Sequence, residues 1–291
     1  MRFVRRVFVG VLVASTAAGT AVVGSTGAGH AGAGGASPLA YVIVQEGLSE
    51  TCSFGRLDLG TGDITTIGTM GAMPCLRNLT FAPDGTLYAT GSDSMVATLV
   101  RIDTATGAVT TVGSLGIEIL LLEGGGLAFD RAGTLWLYIL TEDPDCTDGS
   151  CLYRVDPTDA TATLVGGGGS GTLVNGLAGL CDGRLVTARG AIPPEPLANV
   201  DLSTGELADL GTLPDLLGPN FATEADGTLW MFASLVVGDG VQIVQIDDTG
   251  QVVVTGPLLS DARAPLAFAI EPLTCPPPPA PPLVLTPSFT G

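Results

Sequence analysis

Lysine is missing from this chain altogether, and histidine occurs once, at His30. Cleavage of the leader described below after Ala31 would leave neither in the remaining protein. That excludes a Ser-His-Asp triad, a Cys-His pair, a Schiff-base lysine and imidazole ligation of a metal. Arginine is scarce too, with 11 basic residues in all against 29 acidic ones. Arg2, Arg5 and Arg6 lie in the leader, which leaves 8 basic and 29 acidic residues and a net charge of −21. Each phosphate contact needs a neutralising cation, so the chain is a poor candidate for binding nucleic acid or anionic lipid. No CxxC pair exists, which argues against a zinc site. The glycine runs at 123–126 and 166–169 lack the Lys-Ser/Thr ending of a phosphate loop, and turn chemistry accounts for them. Aromatic residues make up 5% of the chain, too few for a dense sugar-stacking platform. Beyond the leader no 18 consecutive residues are apolar, so no membrane span is expected.

The leader itself, residues 1–36, pairs a basic start with the weakly apolar VFVGVLVASTAAGTAVV and then small residues. A-x-A-like cleavage positions fall near Ala28, Ala31 and Ala36, and the pattern is that of an export signal. The stretch RRVFV suits the twin-arginine route, and the general secretory route explains the same residues. A secreted, extracellular protein is therefore expected. Its six cysteines, Cys52, Cys75, Cys146, Cys151, Cys181 and Cys275, are an even set for an oxidising compartment.

One phrase returns through the chain. It reads FAPDGTLYATGS at 81–92, then FDRAGTLWLYIL, GLCDGRLVTARG and TEADGTLWMFAS. A second marker, an Asp near a strand end followed by a Thr-Gly turn, appears at 56–68, 101–113, 154–166, 199–211 and 245–256. Its turn residues Gly62, Gly107, Ala160, Gly205 and Gly250 are 45, 53, 45 and 45 apart. The long interval holds the insertion TEDPDCTDGSC. A period near 45 with four short strands, a to d, predicts a β-propeller blade. D-G and T-G pairs supply the turn residues, and β-branched residues supply the strands.

The ends predict how the ring closes. The first unit, from YVIV (41–44), has strands b, c and d but no strand a, and LAFA (266–269) is a strand a without a unit. Pairing the two gives an all-β propeller of five four-stranded antiparallel blades over 37–272 and leaves no open edge in the ring. Six blades is the alternative, if the long third unit hides strands. In up-and-down blades the b–c and d–a connections share one face, and the a–b and c–d turns share the other. Cys52 and Cys75 then lie close on the first face, and Cys146 and Cys151 close one hairpin. Cys181 pairs with Cys275 on the second face. Residues 273–291 form a Pro-rich tail, extended by its proline run.

The units, L-A-F-x-x-D-G-T-L-Y followed by R-I-D-x-x-T-G-x-x-T-x-V-G, resemble those of secreted bacterial propellers of the NHL and YVTN kind over residues 40–271. The resemblance implies an extracellular scaffold that commonly serves interactions. Related regucalcin/gluconolactonase-type enzymes are six-bladed and hold a divalent metal in the central channel; their acidic ligands have no counterparts that can be placed here.

Three sets of candidate residues follow. Asp130 and Glu224 occupy equivalent positions at the ends of two inner strands, and paired acids are what glycoside hydrolysis requires. The competing reading leaves both as acids beside solvated turns. Arg77, Asn78, Asn175 and Asn220, with Arg263 adjacent, gather where the d–a loops enter the inner strands, a rim suited to a polar or anionic ligand. Asn also favours turns for backbone reasons. Glu142, Asp143, Asp145 and Asp148 share the acidic insertion, whose oxygens suit weak Ca²⁺ binding, although a disulfide-closed acidic loop needs no metal. No other cofactor is expected. The preferred function is non-enzymatic binding of an extracellular protein or glycan through the b–c/d–a face, and the alternative is a carboxylate-dependent glycoside-active enzyme.

Overall fold

A computed structural model of the protein describes residues 38–45, 51–70, 75–93, 95–119, 125–146, 149–168, 173–190, 195–213, 216–235, 240–259 and 265–275. The expected leader, Arg263 and residues 276–291 of the tail lie outside them. Among the described residues all regular structure is strand. Blade 1 holds β1 (Leu39–Gln45), β2 (Cys52–Asp58) and β3 (Ile64–Thr69). Blade 2 holds β4 (Arg77–Phe81), β5 (Leu87–Asp93), β6 (Val96–Ile102) and β7 (Val109–Glu118). Blade 3 holds β8 (Gly126–Phe129), β9 (Leu135–Leu140), β10 (Ser150–Val155) and β11 (Ala162–Gly167). Blade 4 holds β12 (Val174–Gly179), β13 (Leu185–Arg189), β14 (Pro196–Val200) and β15 (Leu207–Thr212). Blade 5 holds β16 (Leu216–Thr223), β17 (Leu229–Leu235), β18 (Val241–Ile246) and β19 (Val252–Leu259).

The last strand, β20 (Pro265–Ala269), pairs antiparallel with β1 and completes blade 1. The protein is thus a five-bladed β-propeller closed by its terminal strands, and the inner strands β20, β4, β8, β12 and β16 touch in a ring. Six blades are ruled out: the long third unit folds as four strands, and its insertion sits in the β9–β10 hairpin.

Closure uses a register two residues away from the expected one. Tyr41 pairs with Arg56 and with Ala269, as Tyr88 pairs with Arg101 and with Thr80. Phe268 therefore matches Leu79, and the inner-strand segment of blade 1 is Phe268-Ala269-Ile270-Glu271 rather than LAFA at 266–269. The rim residues of blade 1 become Leu266 and Ala267 instead of Ala264 and Pro265.

The core is divided among the five blade-to-blade interfaces, each filled by one apolar cluster. Blades are covered on both faces, so long stretches of their middle strands are buried on consecutive residues rather than alternating. In β9, LWLYIL, five consecutive residues are buried. The outer strands β3, β11 and β15 are only partly covered, and their threonines and aspartates reflect it.

The repeated Asp makes each c–d turn. Asp103 Oδ1 accepts from the backbone N–H groups of Ala105 and Thr106, both at 2.9 Å. Asp58, Asp156, Asp201 and Asp247 likewise accept, through Oδ1, from the backbone N–H two residues on. The turn then needs a left-handed residue, which Gly supplies at 62, 107, 205 and 250; Ala160 adopts φ 63° in its place. The glycine that ends the second marker has a different cause. A Cβ on Gly166 would lie 1.9 Å from the carbonyl oxygen of Thr204, and one on Gly211 would lie 1.8 Å from that of Thr249. The c–d turns of blades 2, 4 and 5 are seated in the same way on the outer strands of blades 1, 3 and 4, at Gly68, Gly166 and Gly211, where only a hydrogen fits.

All three expected disulfides form: Cys52–Cys75, Cys146–Cys151 and Cys181–Cys275. After β20 the chain crosses the a–b end of the ring. Leu273 lines the axial cavity, Thr274 N–H donates to Ala225 O at 3.0 Å, and Cys275 is bonded to Cys181 of blade 4.

Candidate functional site

At the a–b end, the tight turn that follows each inner strand brings strand b back beside it, so residues six apart meet across the hairpin. This places Asp130 against Trp136 and Glu224 against Trp230. Trp136 Nε1 donates to Asp130 Oδ2 at 2.9 Å, and Asp130 Oδ1 also accepts from Thr134 N–H at 2.8 Å. Trp230 Nε1 donates to Glu224 Oε1 at 2.5 Å. Asp130 sits beside an exposed turn, yet its own side chain is buried, 8% exposed. Burial raises the Glu224 carboxyl above its ordinary range, opposed by the Trp230 hydrogen bond and reinforced by the nearby charges of Asp226 and Glu271. Glu271 was missed in the sequence. With the corrected register it occupies the position of Asp130 and Glu224, and FAIE at 268–271 matches FATE at 221–224.

The channel between the inner strands is nearly filled. Toward the a–b end it leaves a cavity of about 30 Å³ among Phe81, Phe129, Phe221 and Leu273. Toward the other end, about 10 Å³ remains among Asn78, Gly126, Gly176, Asn220 and Phe268, room for about one water molecule. Blades 3 and 4 are joined directly there: Gly125 N–H donates to Val174 O at 2.8 Å, and Gly176 N–H donates to Gly125 O at 2.9 Å. A Cβ on Gly126 would meet Leu177 N at 2.2 Å, so this junction requires glycine.

The rim residues do not form one ring. Asn78 and Asn220 are brought together over the axis. Asn78 sits at φ 55°, a conformation Asn tolerates, and its Nδ2 donates to Thr90 Oγ1 at 3.0 Å. The structure gives the Asn220 amide no hydrogen bond among the described residues. Arg77 lies one position earlier than Asn78, and its carbonyl accepts from Thr90 Oγ1 at 3.2 Å. Asn175 matches Arg77 rather than Asn78. Its Nδ2 donates to Gly190 O at 3.0 Å and to Glu195 Oε2 at 3.3 Å. Glu195 was not singled out in the sequence, yet it is 1% exposed, a buried acid at the head of strand c. Its only signal is an isolated charge among prolines, in IPPEP. In blade 2, Met95 is 56% exposed at φ 72° in the β5–β6 hairpin.

In the acidic insertion, Asp143 Oδ2 accepts from the Tyr153 hydroxyl at 3.0 Å, and Asp143 Oδ1 accepts from Asp145 N–H at 3.0 Å. Burial, with the hydrogen bond and charge of Asp143, pushes the Tyr153 hydroxyl well above its ordinary value. Asp148 lies outside the described residues, and among those described no three acids, histidines or cysteines are grouped to hold a metal.

No protein-family model and no curated protein sequence matches the chain. Solved structures do align with it. The PQQ-bound aldose sugar dehydrogenase of Streptomyces coelicolor is 19% identical with a TM-score of 0.47, over 74% of this chain and 78% of that one. A chain of the nidogen/laminin complex is 12% identical with a TM-score of 0.48, over 81% and 99%. A gluconolactonase of Xanthomonas campestris is 16% identical with a TM-score of 0.46, over 77% and 78%. At these identities no residue role passes to this chain.

Proposed function

We propose that this is an exported binding module, which takes an extracellular protein or glycan on the face formed by the b–c and d–a connections. The observation that carries the reading is the arrangement of polar groups at the axis of that face. Among the described residues the Asn220 amide has no hydrogen bond and lies beside Asn78, and in blade 4 the half-buried Asn175 donates to the buried Glu195. At the opposite end the acids are committed to tryptophan N–H groups, and the axial cavity is too small for a sugar ring. The repeats agree at the a–b and c–d turns, where backbone geometry dictates the residue, and disagree on the proposed face. Differences among otherwise equivalent loops are where a repeat scaffold places specificity.

The test pairs two substitutions with two assays. Asn220→Ala and Asn78→Gly, which keeps the left-handed backbone, are expected to weaken binding on a glycan array or to purified extracellular-matrix and cell-wall components. Asp130→Asn and Glu224→Gln are expected to leave that binding unchanged. Hydrolysis of aryl glycosides by the wild type that disappears in Asp130→Asn or Glu224→Gln would refute the proposal in favour of the glycoside-active alternative.

A further inference from the structure

We propose that residues 271–275 are a releasable strap: reduction of Cys181–Cys275 by a dithiol frees Leu273 from the axial cavity and opens it to a compact apolar group.

The ring closes before the strap begins. The closing strand β20 ends at Ala269, which pairs with Tyr41, and Ile270 is buried in the apolar cluster shared by blades 1 and 5. From Glu271 to Cys275 every residue is half-buried or exposed. Among the described residues the strap's hydrogen bonds come from Thr274. Its N–H and its hydroxyl both donate to Ala225 O, at 3.0 and 3.3 Å. Leu273 is the strap's apolar residue in the axial cavity, against Phe81, Phe129 and Phe221. Charge works against the strap, because the Glu271 and Asp226 carboxylates lie close enough to Glu224 to disfavour its ionisation. The covalent bond to Cys181 is therefore the main restraint on the segment.

That bond is also the most accessible of the three. Cys52 is buried in the first disulfide, and Cys146 and Cys151 are both buried in the second. Neither Cys181 nor Cys275 is buried. Exchange needs a thiolate to reach a disulfide sulfur, so access selects this pair. One thiolate of the dithiol attacks Cys275 Sγ, the S–S bond breaks, and Cys181 leaves with the electron pair. The second thiol then displaces Cys275. The dithiol ends as a disulfide, and its two protons end on the two cysteines. Asp226 O lies 3.2 Å from Cys181 Sγ, so the new thiol finds an acceptor already in place. Withdrawal of Leu273 adds a side chain's volume to the cavity of about 30 Å³ and uncovers Phe129 and Phe221, each 5% exposed beneath the strap. Three phenylalanines at the mouth select an apolar occupant.

Three measurements on the full chain test this. In a dithiothreitol titration quenched with iodoacetamide, Cys181 and Cys275 are expected to be alkylated about tenfold faster than the other four cysteines. The variant Cys181→Ser/Cys275→Ser should raise the fluorescence of the neutral dye Nile red, and Cys146→Ser/Cys151→Ser should not. Hydrogen–deuterium exchange of the first variant should be faster at 271–275 and unchanged in β20 and β4. Equal alkylation of all six cysteines overturns the proposal, as does a freed strap that leaves Nile red fluorescence at the wild-type level. Loss of protection in β20 overturns it as well, since the ring would then depend on the strap.

Discussion

Asp130, Glu224, Trp136 and Trp230 illustrate what a residue's partner does to its meaning. Two acids at equivalent strand ends satisfy the simplest requirement for glycoside chemistry, and two tryptophans at matching strand positions look like separate core residues. The hairpin joins them into two Trp–carboxylate bonds. Glu224 retains a detectable cost, because burial raises its folded pKa above the ordinary 4.5. The unfolded chain thus loses this proton near pH 4.5, and the folded chain loses it at a higher pH. Stability from this group is fully present below pH 4.5, falls through the window between the two values, and is lowest above it. Glu224→Gln keeps an oxygen for Trp230 and removes the ionisation. The variant is expected to be at least as stable as the wild type at pH 7 and to show a flatter urea midpoint between pH 4.5 and neutrality. A variant less stable at pH 7 would show that the ionised carboxylate, not the neutral acceptor, is what Trp230 requires.

The repeat motif becomes intelligible at the scale of the element. The Asp and the Thr-Gly of each marker build the c–d turn locally, so their role was legible from the sequence. The terminal Gly of the same marker was legible only as a recurrence, since its reason lies in the next blade. Gly211→Ala would press a methyl group onto the Thr249 carbonyl, at a cost of about 1–3 kcal/mol from overpacking. Gly183→Ala is the control: nothing lies within 4 Å of its Cβ, and its φ of 93° alone sets a cost of about 1 kcal/mol. Urea titration should rank Gly211→Ala as the more damaging, and the reverse order would contradict the seating of turn on strand. The slip in β20 has an equally physical cause. A two-residue shift keeps every side chain on its own face, so LAFA at 266–269 imitates LTFA at 79–82 while Phe268 occupies the position of Leu79. Only the backbone pairing separates the two, and Glu271 stayed hidden for that reason.

The ring depends on closures distant in sequence. Cys181–Cys275 joins residues 94 apart, and Cys146–Cys151 joins residues 5 apart. On the loop-entropy model the first contributes about 4–5 kcal/mol and the second about 2. Replacing Cys181 and Cys275 together with Ser should lower the unfolding free energy by roughly twice as much as the same change at Cys146 and Cys151, as measured by chemical denaturation. Equal losses would mean that the strap across the a–b end adds nothing beyond its anchor in β20. The sequence by itself determined the blade period, the closure by terminal strands, the disulfide pairing and the absence of lysine from the chain. Each of these follows from local spacing or from a topology in which every unit repeats the last. The tertiary structure alone decided which acids are bound to tryptophan, that the axis is nearly filled, and that Asn175 faces Glu195 instead of joining Asn78 and Asn220. Those outcomes depend on contacts between residues of different blades, or across one hairpin, where the linear pattern carries parity and period but not distance.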